Sequence, residues 1–232
     1  MAILHERDRR GGGRMGWLET AHTFSFGNFR DPNRMGFRAL RVLNEDRVIP
    51  GAGFPTHSHA NMDIVTYVIS GALKHEDSLG TGSIIRPGDI QRMSAGSGIT
   101  HSEMNASDTE PVHFLQIWII PDSQGGRPGY QQETIDRDRA KREFVQIAGT
   151  DPAEGAVQLF SDTKISMRLL AQGETASYHI EASRGVFVQV VDGSLLVDGT
   201  AVSAGDGVQM DGPETLGFTA LADSEILILD LA

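Results

Sequence analysis

The sequence predicts an all-β protein made of two similar halves, each a sandwich or barrel of short antiparallel strands. Three observations carry this. The 232 residues include 27 glycines, a share that suits many tight turns and not long helices. The apolar runs are short, evenly spaced and bounded by Gly, Pro, Asn or Asp, the pattern of all-β folds. The spacing of marker residues also repeats: Gly51 stands six before His57 and His57 fourteen before Gly71, while Gly173, His179 and Gly193 keep the same intervals.

Along the chain, residues 15–29 are dense in aromatics, and Phe24 and Phe26 alternating with Thr23 and Ser25 predict a strand. His22 in that run reads as a hydrogen-bonded core residue and not as a ligand. Asp31-Pro32-Asn33 predicts a turn, and Ala39 to Leu43 a strand ended by Asn44-Glu45-Asp46. Ile64 to Ile69 is a nearly continuous β-branched run closing at Gly71, too apolar to face water, and predicts a central strand. Lys74 to Asp77 follows, with His75 and Glu76 on opposite faces because they are adjacent. Ser83 to Ile85 is a short strand between turns at Leu79-Gly80 and Pro87-Gly88-Asp89. Phe114 to Ile120 is a buried strand stopped by Pro121.

Residues 134–155 read as a connection with one helical turn between Ile135 and Glu143. This divides the chain into domains 1–133 and 156–232. Strand signals resume at Ile165–Leu170, Tyr178–Ile180, Val186–Val191, Leu195–Val197 and Ile226–Leu229. Pairing Gly88-Asp89 with Gly205-Asp206 sets Met93 against Met210, His101 against Phe218 and Glu103 against Ala220; at the other motif His59 faces Glu181. The C-terminal domain is therefore expected to keep the architecture without the metal, and His179 to be an ordinary core histidine.

The chemistry concentrates in two stretches, Gly51-Ala52-Gly53-Phe54-Pro55-Thr56-His57-Ser58-His59 and Gly98-Ile99-Thr100-His101-Ser102-Glu103-Met104-Asn105. Each holds two potential ligands at i and i+2, which share one face of a strand. Two such strands side by side would present His57, His59, His101 and Glu103 to one divalent metal and leave positions open. Gly51, Gly53, Gly96 and Gly98 are expected to let the backbone turn tightly before each pair. Imidazole and carboxylate donors suit iron(II), manganese, cobalt, nickel, zinc or copper(II), and softness does not choose between them. Three neutral imidazoles and one carboxylate leave a net +1 at the metal, which favours a deprotonated enol or carboxylate, and Glu103 is the candidate general base.

Composition narrows the alternatives. With no cysteine, disulfides, iron–sulfur clusters and thiolate chemistry are excluded. The net charge of -11 sits in the C-terminal part, where residues 151–232 hold 3 basic and 13 acidic residues. Direct nucleic-acid binding is therefore not expected. No apolar leader and no apolar run of membrane-spanning length is present, which predicts a cytoplasmic protein without membrane contact.

The two motifs resemble those of the cupin superfamily, with Asp63 and Gly71 completing the first and Asn105 the second. The wider chain resembles bacterial members of the pirin family through His22-Thr23-Phe24-Ser25-Phe26, Asp31-Pro32, Met35-Gly36-Phe37, Leu40-Arg41-Val42, His75-Glu76-Asp77, Met93-Ser94-Ala95-Gly96 and His101-Ser102-Glu103-Met104-Asn105. The resemblance implies a bicupin, two jelly-roll β-barrels face to face, with one metal, iron first among the candidates, on His57, His59, His101 and Glu103. It implies no metal role for Asp63, where the family commonly has Glu. The implied activity is that of a quercetin 2,3-dioxygenase, acting on a flavonol or related enol-bearing aromatic with dioxygen. The implied alternative is a metal-binding regulator that works through a protein partner.

Overall fold

The computed structural model describes residues 2–212 and 215–232. In chain order its strands are Ile3–His5 (β1), Gly11–Met15 (β2), Leu18–His22 (β3), Leu40–Val48 (β4), Gly53–His59 (β5), Asp63–Ser70 (β6), Leu73–Asp77 (β7), Gly82–Ile85 (β8), Asp89–Ser94 (β9), Ile99–Asn105 (β10), Val112–Ile119 (β11) and Gly129–Thr134 (β12). A single helical turn, Arg137–Ala140 (α1), leads to Val145–Gly149 (β13), Val157–Gln158 (β14), Thr163–Leu170 (β15), Thr175–His179 (β16), Gly185–Asp192 (β17), Ser194–Val197 (β18), Thr200–Ser203 (β19), Gly207–Asp211 (β20), Thr215–Ala220 (β21) and Ser224–Leu231 (β22).

Each half is a jelly roll of one seven-stranded and one four-stranded sheet, open at its edges and not hydrogen-bonded into a closed cylinder. The N-terminal sheets run β12-β9-β6-β11-β4-β3-β2 and β5-β10-β7-β8; the C-terminal ones run β1-β20-β17-β22-β15-β13-β14 and β16-β21-β18-β19. The four-stranded orders correspond strand for strand, as do β9-β6-β11-β4 and β20-β17-β22-β15, so the repeat in the glycine and histidine spacing is a repeat of topology. One strand crosses over: β1 pairs antiparallel with β20, Ile3 opposite Gln209, and so belongs to the C-terminal sheet.

The two seven-stranded sheets pack face to face. Between them lies a core to which β4, β6 and β11 give Leu43, Val65, Tyr67, Leu115, Ile117 and Ile119, and β15, β17 and β22 give Ile165, Met167, Phe187, Leu227, Leu229 and Leu231. Because side chains alternate along a strand, the other faces of the same strands line the barrel interiors. In the C-terminal half that interior is filled by Val186, Val188, Val190, Val208, Ile226 and Ile228. In the N-terminal half the corresponding face is polar, and this difference hollows out the site.

Several local expectations need correction. Phe24 and Phe26 are not on a strand: β3 ends at His22, after which Ser25 N–H bonds the carbonyl of Arg34 at 2.6 Å and the chain loops, burying Phe24 between the halves. Asn44-Glu45-Asp46 does not end β4, which runs on to Val48, because Asn44 and Asp46 face the polar interior while Glu45 is held by Arg10 and His113. His179 is exposed and not in a core, since β16 is the edge strand of its sheet. Within residues 134–155, β13 pairs with β15 as part of the C-terminal sheet.

Candidate metal centre and its cavity

Strands β5 and β10 lie antiparallel, with His101 directly opposite His57 and Glu103 opposite Phe54. Two steps on β10 match three on β5, so β5 bulges around Pro55, which has no N–H to lose from the ladder. Gly53 serves here by close approach and not by turning: a Cβ would stand 2.3 Å from the carbonyl oxygen of Glu103. Gly51 and Gly96 are in the left-handed region at φ 68° and 49° and do turn the chain before each pair.

The structure brings His57, His59 and His101 together, with one ligand atom from each mutually within 4.8 Å. Hydrogen bonds set which nitrogen each offers. His57 Nδ1 lies 2.8 Å from the Pro55 carbonyl, which can only accept, so Nδ1 carries a proton and Nε2 is the nitrogen that the neutral ring would offer. Asp77 Oδ2, 3.1 Å from His75 Nε2, takes that proton and leaves His75 Nδ1 as an acceptor facing His101 Nδ1 at 3.5 Å. His101 Nε2 is then bare as well, and it stands 3.1 Å from His57 Nε2. With both rings neutral, as ligation requires, two lone pairs face each other, an arrangement that an ion between them relieves. Imidazole nitrogens held at right angles on one ion at ordinary bond lengths stand about 3 Å apart, so the residues fit a metal.

Burial, then the neighbouring His57, lowers the pKa of His59 to about 4. Burial, then His57, His59 and His75, lowers that of His101 to about 2. The rings are thus kept neutral, as ligation requires.

Glu103 joins a second group, with His75 and His101. Gln116 Nε2 donates to both of its oxygens, at 2.7 and 2.9 Å, and Thr66 Oγ1 lies 3.4 Å away. Trp118 Nε1 donates to Gln116 Oε1 at 3.3 Å and fixes the amide's orientation. Burial raises the Glu103 pKa to about 7 against the Gln116 hydrogen bond, with Asp46 adding to the rise. Asp63 lies outside both groups and is tied instead to Ser94 and to the backbone of Phe160. His22 is buried and hydrogen-bonded to Thr20 Oγ1 at 2.9 Å.

These groups border a cavity of about 980 Å³, lined in part by His57, His59, Glu103, Gln116, Trp118 and Phe54. Its wall includes part of a polar row that strand composition concealed: His22, Asn44, Gln116, Thr66 and Gln91 are successive cross-strand partners on β3, β4, β11, β6 and β9, and the first three line the cavity. The matching row in the C-terminal half is Ser166, Ile228, Val188 and Val208. Thr66 could have been singled out as a polar residue inside the otherwise apolar run Ile64–Ile69. His75 and Asp77 left no such signal, because their role depends on register with β10.

Fold and site together define a two-domain cupin. The pirin profile matches residues 4–119, and the profile of the quercetinase C-terminal cupin domain matches residues 146–231. The chain belongs to the pirin family. It is 40% identical over 231 residues to quercetin 2,3-dioxygenase of Escherichia coli (strain K12), covering 100% of this chain and 99% of that one. It is 38% identical over 227 residues to a pirin-like protein of Caulobacter vibrioides, covering 97% of each. The crystal structure of the E. coli pirin YhhW in complex with nickel(II) has a TM-score of 0.95 at 39% identity, over 100% of this chain and 99% of that one. Among the described residues no helix is long and apolar enough to cross a membrane.

Proposed function

We propose that the protein is a metal-dependent dioxygenase of the quercetin 2,3-dioxygenase type, acting on a flavonol or a related enol-bearing aromatic. One divalent transition metal is held by His57, His59, His101 and Glu103. The observation that carries this reading is the convergence of three imidazoles, two of them on the wall of a cavity of about 980 Å³, beside a buried carboxylate. A cavity of that size suits a drug-sized aromatic, and the E. coli relative that matches the whole chain is named for this activity.

A bound divalent metal supplies a Lewis-acidic centre with open positions for a substrate oxygen and dioxygen. The chain's own groups do the rest. Glu103 Oε takes the proton of the substrate's enol hydroxyl, and Gln116 and Thr66 hold the carboxylate for that transfer. Trp118 and Phe54 flank the aromatic rings and exclude water.

Elemental analysis of untagged protein should find about one metal per chain, lost in the His57→Ala, His101→Ala double variant. Anaerobic reconstitution with iron, manganese, cobalt, nickel and copper in turn, followed by quercetin and air, should give flavonol loss with carbon monoxide release. Glu103→Gln should abolish it. Metal retained by the double variant overturns the ligand assignment. If no metal form exceeds the metal-free blank, the enzyme reading fails and a partner-binding role replaces it.

A further inference from the structure

Behind the metal centre the same cavity holds a second cluster that the proposed reaction does not use. Thr20 and His22 on β3 stand directly opposite Asp46 and Asn44 on β4, and all four side chains are buried and line the cavity. His22, Asn44 and Asp46 are 7%, 4% and 3% exposed, yet His22 Nδ1, Asn44 Oδ1 and Asp46 Oδ1 have no hydrogen-bond partner in the protein. Native folds leave few such atoms, because each forfeits its hydration on burial. Three on two adjacent strands, bordering one cavity, mark a place where something else supplies the partners.

Their chemistry says what that partner is. Burial raises the Asp46 pKa to about 7, with Thr20 beside it working against the rise. His22 Nε2 lies 2.9 Å from Thr20 Oγ1, while Nδ1 on the other side of the ring has no partner. Burial, then Arg10, lowers the His22 pKa and keeps the ring neutral. Asn44 Oδ1 and Asp46 Oδ1 are oxygens that accept. The cluster thus presents two unpaired side-chain oxygens and an unpaired ring nitrogen to the cavity. His22 also packs edge-on against Phe26 at 5.1 Å, and Phe26 against Trp118 at 5.3 Å, and Trp118 meets His59 at 4.9 Å. An aromatic wall therefore joins the acceptor cluster to the histidines.

We infer that His22, Asn44 and Asp46 form a recognition subsite for the hydroxyl groups of a polyhydroxylated aromatic whose other end lies at the metal centre. The inference rests on the flavonol reading above and adds to it the choice among flavonols. A ring bearing O–H donors satisfies the acceptors, whereas a bare ring leaves them unpaired; a polar site rejects an analogue lacking its hydroxyl far more strongly than an apolar pocket rejects an extra group.

The test is binding without turnover. Quercetin and 3-hydroxyflavone, which keeps the enol and ketone but bears no other hydroxyl, are titrated under argon into nickel-loaded protein, with tryptophan quenching as the readout. The parent should bind quercetin at least about tenfold more tightly than 3-hydroxyflavone. Asn44→Ala and Asp46→Ala should each cut quercetin affinity about tenfold while leaving 3-hydroxyflavone unchanged, so that the preference collapses. Thermal melts of the Asn44→Ala variant without ligand should stay within a few degrees of the parent, since no internal hydrogen bond of Asn44 Oδ1 is lost. Equal binding of both flavonols by the parent, or a preference that survives the double variant, overturns the subsite and leaves the flavonol reading standing. Binding of neither flavonol overturns both.

Discussion

Gln116 decides how Glu103 can behave. A carboxylate buried this deeply is costly to charge, and the two hydrogen bonds from one amide are what orient it toward the histidines. Gln116→Leu keeps the volume and removes the donors, so metal affinity should fall about 10- to 100-fold, as for other residues that orient a ligand. Competition with a chromophoric chelator checks this, and an unchanged affinity would reduce Gln116 to a space filler. The histidines that converge, His57, His59 and His101, were legible because H-x-H and H-x-E betray themselves on any strand. Gln116 was not, because one glutamine inside Phe114–Ile120 carries meaning only once β11 is known to bury Leu115 and Ile117 on one face and to turn Gln116 to the other.

The strands that read clearly, β6 and β11, are those whose β-branched and aromatic residues are buried on both sides. Those that misled are polar for a reason outside themselves. Asn44-Glu45-Asp46 spells a turn by composition, yet Asn44 and Asp46 line a cavity and Glu45 sits in an ion cluster, with Arg10 Nη1 at 2.7 Å, His113 Nε2 at 2.8 Å and Arg47 Nη2 at 3.1 Å. That cluster ties the root of glycine-rich β2, which roofs the cavity, to β4. Burial alone would raise the Glu45 pKa, but His113 and Arg10 hold it down to about 2 from 4.5. A depressed carboxylate pKa contributes stability that is complete above the unfolded value and disappears as pH falls through the folded one, at most about 3 kcal/mol here. Glu45→Gln should therefore lower the urea midpoint most at about pH 6, with the gap to the parent closing toward about pH 2. A gap independent of pH would assign the loss to packing and not to charge.

The repeat of glycine and histidine spacings made two related halves legible, but nothing in it says how the halves meet. That depends on which face of each seven-stranded sheet is the more apolar, and on β1 leaving its own half to pair with β20, a three-residue strand too short to announce itself. The outcome is one core shared by both halves, in which Leu43, Val65 and Ile117 lie against the sheet that carries Met167, Phe187 and Leu229. Removing residues 156–232 would bare that apolar face and should leave insoluble or molten protein; a soluble, fully metallated fragment with cooperative unfolding would show the N-terminal half to be self-sufficient. A gentler test uses the intact chain. Its two tryptophans, Trp17 and Trp118, both lie in the N-terminal half, so tryptophan fluorescence reports that half alone. Leu229→Ala in the C-terminal half empties space in the shared core and should cost about 2–5 kcal/mol. If the core couples the halves, the fluorescence midpoint shifts together with the far-UV transition, as a single unfolding event requires. A fluorescence midpoint that stays with the parent while the far-UV transition splits would mean that the halves unfold separately.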